Sequence, residues 1–180
     1  MTDTQPIYQL QTPLTDEAAA PLRAGDKVLL SGWIYTARDA AHKRMTEALQ
    51  AGDPPLFSFE GQAVYYAGPC PAPPGHVIGS IGPTTSGRVD AYAPYLIQRG
   101  LKYMIGKGLR NAAVIQAIRA HKGLYFAAVG GAGALLAGRV RQAELVGYED
   151  LGTEAVRRLY VEDFPLIVAI DTLGNSVYDR

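Results

Sequence analysis

Two apolar periodicities alternate along this chain, and their order limits the folds open to it. Residues 27–35 (KVLLSGWIY) follow the turn signal Ala24-Gly25-Asp26 and are rich in β-branched, aromatic and leucine side chains, which predicts a strand. Residues 38–50 then carry Ala41, Met45, Ala48 and Leu49 on one side, with Gly52 beyond their end, which predicts a helix. A strand is expected at 63–67. Residues 68–83 can hold no regular element, because Pro69, Pro71, Pro73 and Pro74 remove donors and fix φ. Val89, Tyr92, Ala93, Leu96 and Ile97 keep a helical spacing, so a helix is expected from 86–88 to Gly100, with Pro94 kinking it or delaying its start. Further strands are expected at 101–105, 124–129, 142–146 and 166–170. Helices are expected from the Asn111 cap to His121, ended by Gly123, and at 133–139 and 153–158. This alternation implies an α/β domain.

The chain has 180 residues, 48% of them hydrophobic and 19% charged, enough for one well-buried core. Its formal net charge is zero, so nothing supplies the sequence-independent attraction on which nucleic-acid or anionic-membrane binding draws. Neither partner is expected. Cys70 is the only cysteine, which excludes a disulfide framework, a thiolate zinc site and a self-contained iron–sulfur cluster. Residues 1–20 are polar and lack an apolar core, so they resemble neither a signal peptide nor a membrane span, and a cytoplasmic location is the default.

The string Gly82-Pro83-Thr84-Thr85-Ser86-Gly87-Arg88 combines a rigid entry, adjacent hydroxyls, a flexible glycine and a guanidinium beside a helix start. Those are parts that hold a carboxylate, although a solvated capping turn uses the same residue types. The spacing of Gly82 and Gly87 also matches a phosphate loop, but Arg88-Val89 stand where that loop needs Lys and Ser/Thr. Gly130-Gly131-Ala132-Gly133 lacks the last glycine of a dinucleotide fingerprint, since position 136 is Leu136. Residues 36–39 lie at a second strand-to-helix turn. Lys107, between Gly106 and Gly108, lies just past a strand.

Several strings, taken in order, carry a resemblance. Residues 35–44 (YTARDAAHKR), 64–69 (VYYAGP) and 82–90 (GPTTSGRVD) are similar to successive signatures of the C-terminal half of the class I fumarases. Lys107-Gly108, Gly130-Gly131 and residues 161–165 (VEDFP) extend the likeness, which spans most of the chain beyond about residue 25.

The resemblance implies a single swivelling three-layer β/β/α domain over residues 25–180, with 1–24 as an N-terminal extension or arm. It implies the β subunit of a hydro-lyase acting on a small dicarboxylate. Fumarate hydration to L-malate is preferred, with L(+)-tartrate dehydration or a non-catalytic anion-binding domain as alternatives. It further implies a [4Fe-4S] cluster carried by a separate α subunit, in an α2β2 assembly, with no metal held by this chain. Matched by motif, Arg38, Arg88 and Lys107 are the substrate-binding cations and Thr84 the catalytic hydroxyl, supported by Asp39, His42 and Thr85. The plain alternatives are that Arg38 pairs with Glu47 or another surface acid, that Asp39 serves the helix start, that His42 is structural and that Cys70 is a buried or incidental thiol.

Overall fold

The period-two pattern at the first predicted strand becomes the longest parallel element of the molecule, and the rest of the fold assembles on it. The structure is a computed structural model that describes residues 4–128 and 132–179. Strands are β1 (Ile7–Gln11), β2 (Lys27–Thr36), β3 (Ala63–Tyr65), β4 (Tyr103–Gly106), β5 (Leu124–Ala127), β6 (Val140–Gly147) and β7 (Val156–Ile170). Helices are α1 (Asp16–Ala19), α2 (Asp39–Gln50), α3 (Ala93–Gln98), α4 (Ala112–His121) and α5 (Gly133–Ala137), with 3₁₀ turns at Ser86–Val89, Glu149–Glu154 and Val177–Asp179.

The seven strands form one mixed sheet in the order β1-β2-β3-β4-β5-β7-β6, with β2 also paired to β7. Each neighbouring pair from β1 to β5 is parallel, and β7 runs antiparallel to β2, β5 and β6. The pairings β2–β3–β4–β5–β7–β2 therefore close on themselves. Alternate side chains of β3, β4 and β5 divide between two apolar clusters, as strand geometry requires. Tyr65, Ile105 and Phe126 join Leu30, Ile34, Val161 and Phe164 from β2 and β7. Val64, Met104 and Tyr125 join Met45, Leu96 and Ile118 from α2, α3 and α4. Each fully buried Leu, Ile or Val of these clusters contributes about 1.5–3 kcal/mol relative to exposure. The three longer helices α2, α3 and α4 thus cover one face, while the short α1 and α5 pack into the other cluster.

Because β1 to β5 are parallel, their C-terminal ends and the loops that follow share one edge of the sheet. That edge is where ligands bind in open parallel α/β sheets. Residues 36–39, 66–69 and 107–110 all leave the sheet there.

Five local details change or add to these expectations. Residues 153–158 are not a helix: the 3₁₀ turn ends at Glu154, and Val156 begins β7, whose Leu159 and Val161 alternate inward while Arg158 and Tyr160 pair across to β2 and β6. The strand expected at 166–170 is the end of that same element. The helix expected from 86–88 to Gly100 is split into the Ser86–Val89 turn and α3, with Pro94 in the first turn of α3, where a missing N–H costs nothing. Residues 1–24 contribute a strand, since β1 pairs with β2 from Ile7↔Lys27 to Gln11↔Ser31, and Leu14, Ala19 and Leu22 are buried in the first cluster. The left-handed residue ending α4 is Lys122 (φ 56°), one position before the expected Gly123. Val129 and the Gly130-Gly131 pair lie outside the described residues. Among those described, no helix is long and apolar enough to cross a membrane.

Candidate functional site

Arg38 is the N-cap of α2, with extended backbone (φ −101°, ψ −166°) and no side-chain capping bond, so its guanidinium is free to reach sideways. It does so over Gly68, where an added Cβ would lie 3.0 Å from Arg38 Cδ and 3.2 Å from Nη1. Only glycine leaves that space open. The nearest acid is Glu154, 4.0 Å from Arg38 Nε, and not Glu47, which faces Lys43. Glu154 instead accepts a hydrogen bond from the Ala40 N–H at 3.2 Å, in the first turn of α2. Arg38 Nε is shielded from solvent and has no hydrogen-bond partner. Such a donor is costly to leave unpaired, and an incoming anion would satisfy it.

Asp39 opens α2 as its first-turn acid, which suits the positive end of the helix. His42, one turn on, is buried, and its Nδ1 donates to the Arg38 carbonyl at 2.7 Å. Its ring meets Tyr66 edge to face, with centroids 5.2 Å apart. Burial pushes its pKa down to about 4, so it sits as a neutral imidazole behind the Arg38 backbone.

Thr84 is tied to β3's exit by two bonds to one atom: its N–H and its Oγ1 donate to the Tyr66 carbonyl at 2.7 and 2.9 Å. Thr85 and Lys107 form a parallel β-bridge. That bridge lays residues 84–86 beside the end of β4. The Ser86 N–H donates to the Lys107 carbonyl at 2.9 Å, and the Lys107 N–H donates to Ser86 Oγ at 3.1 Å. Ser86 fits so closely under β4 that a Cβ at Gly106 would overlap its Oγ. Thr85, Arg88 and Lys107 are exposed. Among the described residues the Arg88 and Lys107 side chains make no ion pair and no hydrogen bond.

The structure therefore brings Thr84, Thr85 and Lys107 directly together and links them through Tyr66 and Gly68 to Arg38, all on the carboxyl edge of the parallel strands. Arg88 lies in the turn that begins at Ser86, four residues after Thr84. Sequence reasoning gave no role to the buried residues beneath them: Tyr66, Ser86 and Asp90 stood in the quoted strings without one, and Arg110 and Tyr125 were not singled out. It missed Glu154 as well, because residues 153–158 were read as helix.

The larger cavity, about 450 Å³, opens at the opposite edge beside Asp16, Lys102 and Tyr103, and contains none of these residues. A second, about 360 Å³, adjoins the site's flank at Pro69, Cys70, Ile78, Thr153 and Arg157. Cys70 is exposed, not buried, because residues 70–77 of the proline-rich loop lie on the surface. No three His, Cys, Asp or Glu side chains converge as metal ligands among the described residues. This side-chain set does not fit an iron–sulfur cluster, which needs several thiolates.

The family described as Fumarase C-terminus matches residues 2–180. The chain belongs to that family. Among relatives of this fumarase C-terminal domain, Fumarate hydratase 2 of Leishmania major is 37% identical over 158 residues, covering 87% of this chain and 28% of that protein. The aerobic class I fumarate hydratase of Escherichia coli strain K12 is 38% identical over 156 residues, covering 86% and 28%. A protein named putative L(+)-tartrate dehydratase subunit beta, from Methanocaldococcus jannaschii, is 38% identical over 173 residues, covering 93% and 89%. The fumarase C-terminal domain seen here thus spans little more than a quarter of those fumarate hydratases and most of that β subunit.

Proposed function

We propose that this chain is the β subunit of a hydro-lyase that adds water to fumarate, forming L-malate reversibly, at a site completed by an α subunit. The observation that carries the reading is that an under-satisfied Arg38, the Thr84 hydroxyl and Lys107, whose side chain has no partner among the described residues, share one sheet edge, with Arg88 in the adjoining turn. A dicarboxylate needs a cation at each end. Arg38 and the start of α2 suit one carboxylate, and Arg88 with Lys107 suits the other. These charges would also stabilise the negative charge that develops on a carboxylate when a proton leaves the adjacent carbon.

Thr84 is the hydroxyl assigned to proton transfer. A threonine is a weak base unless a neighbour takes its proton, so a carboxylate of the α subunit is assigned that role. Thr85 and Asp39 shape the two loops, and His42 supports the backbone of Arg38. The [4Fe-4S] cluster is assigned to the α subunit, in an α2β2 assembly in the cytoplasm, and this chain's part is to bind and orient. The two apolar clusters on opposite faces of β3–β5 support the swivelling three-layer β/β/α description; residues 25–180 are assigned as the domain, with 1–24 as an arm that packs Leu14, Ala19 and Leu22 into the first cluster. Mixing this chain anaerobically with a cluster-loaded α subunit should produce loss of fumarate absorbance. No gain over either subunit alone would sink the reading. The match over 89% of a tartrate dehydratase β subunit favours L(+)-tartrate dehydration as the second reading, tested in the same assay.

A further inference from the structure

Beneath the two cation-bearing loops lies a buried ion pair. Arg110 Nε donates to Asp90 Oδ1 at 2.7 Å, and the two side chains are 0% and 8% exposed. Asp90 Oδ2 accepts the Asn111 N–H at 2.7 Å, and Arg110 Nη2 donates to the Tyr66 hydroxyl at 3.2 Å. The guanidinium also lies over the Tyr66 and Tyr125 rings, 5.2 and 4.7 Å from their centroids. Tyr125 OH is 2.7 Å from Ser86 Oγ and 2.9 Å from the Gly108 carbonyl.

These contacts lace segment 84–90 to segment 107–111 at both ends. Near Thr84 the lacing is the Thr85–Lys107 bridge and the two Ser86–Lys107 bonds. Six residues beyond Thr84 it is Asp90 with Arg110 and Asn111. Between the anchors, Arg88 sits in the tight Ser86–Val89 turn and Gly108 is held through its carbonyl by Tyr125, while the Arg88 and Lys107 side chains make no ion pair or hydrogen bond among the described residues. A buried charge pair costs desolvation, and an apolar pair of similar volume would hold a core as well. A fork that bonds Asp90 and Tyr66 while stacking on two rings adds fixed geometry, which lysine cannot reproduce.

We infer that Arg110, through Asp90, Tyr66 and Tyr125, is a positioning residue that sets the separation of Arg88 and Lys107, and so the fit of one carboxylate of the substrate. This deepens the proposed function and rests on it. It acts on the cations through the two segments and touches no substrate.

The test compares the full chain with Arg110→Lys and with the milder Tyr125→Phe, which keeps the ion pair and loses only the hydroxyl to Ser86 and Gly108. Amide hydrogen exchange is read on each chain, and KM and kcat are read with the cluster-loaded α subunit. The Ser86 and Lys107 amides should exchange about tenfold faster in Arg110→Lys while Ile105 and Phe126 stay protected. KM should rise about tenfold with kcat changed by less than about threefold, and Tyr125→Phe should move both readouts the same way by less. Unchanged loop amides in both variants, or faster exchange spread evenly through the core, would overturn the inference. So would a wild-type KM alongside loosened loops. A wild-type chain that with its partner neither hydrates fumarate nor dehydrates tartrate would instead defeat the proposed function, and the exchange measurement would still decide whether Arg110 orders the loops.

Discussion

Thr84 Oγ1 and the Thr84 N–H both donate to the carbonyl oxygen of Tyr66, at 2.9 and 2.7 Å. The hydroxyl proton is therefore occupied by a neutral backbone acceptor, and the oxygen keeps its lone pairs for a donor from outside the chain. A group held this way is oriented yet not activated.

Replacing Thr84 by alanine should lower kcat about 100-fold in the reconstituted enzyme, the lower range for loss of a proton-transferring group, with KM little changed. The unfolding free energy should fall by no more than about 1 kcal/mol, because one part-buried hydrogen bond is lost. Turnover at the wild-type rate would remove Thr84 from the chemistry.

Arg88→Ala and Arg38→Ala should each raise KM about 10- to 100-fold, the range expected from losing a charge-assisted bond to a carboxylate. Among the described residues the Arg88 side chain makes no ion pair or hydrogen bond, so the stability of Arg88→Ala should match wild type. Steady-state kinetics with fumarate and with tartrate check this, and an unchanged KM in both variants would contradict the two-ended grip.

His42 gives a pH dependence of stability with a definite sign. Its folded pKa is pushed down from 6.5 to about 4 by burial, so the unfolded chain binds the extra proton first as pH falls. The contribution is fully present above about pH 6.5, and by linkage roughly 3 kcal/mol is lost as pH drops through 4. Urea unfolding at pH 7 and pH 4.5 should show the loss, and His42→Phe should flatten the profile. Equal slopes for the two proteins would refute it.

Arg110→Met should destabilise the chain by about 3–5 kcal/mol, because it strands the Asp90 carboxylate in the interior. Adding Asp90→Asn should recover part of that loss. Chemical denaturation of the single and double variants measures the coupling, and strict additivity would show that the pair does not act as one unit.

Much of the scaffold was legible because strong periodicity marks buried elements. β2, α2, β4 and α4 fall within about two residues of their expected bounds, and the loop of four prolines carries no helix or strand. Two elements hid for physical reasons. β1 is an edge strand whose alternation places only Tyr8 and Leu10 inward, too few to stand out in a polar segment. β7 is interrupted by Asp163 in a left-handed conformation (φ 51°) and by Pro165, so its charged first half and apolar second half read as separate elements. At the site, Thr84, Arg88 and Lys107 stood out because they lie in glycine-bounded strings. Tyr66, Asp90 and Arg110 did not, since their importance comes from contacts between distant segments that no local pattern encodes.

The return of β7 onto β2 has a bearing on how the molecule is made. Lys27 meets Ile167 across that seam, so the ring of strands cannot shut until the distant β7 has been made. Until then one flank of β2 stays open to solvent and to other chains, and β7 is the segment that seals it.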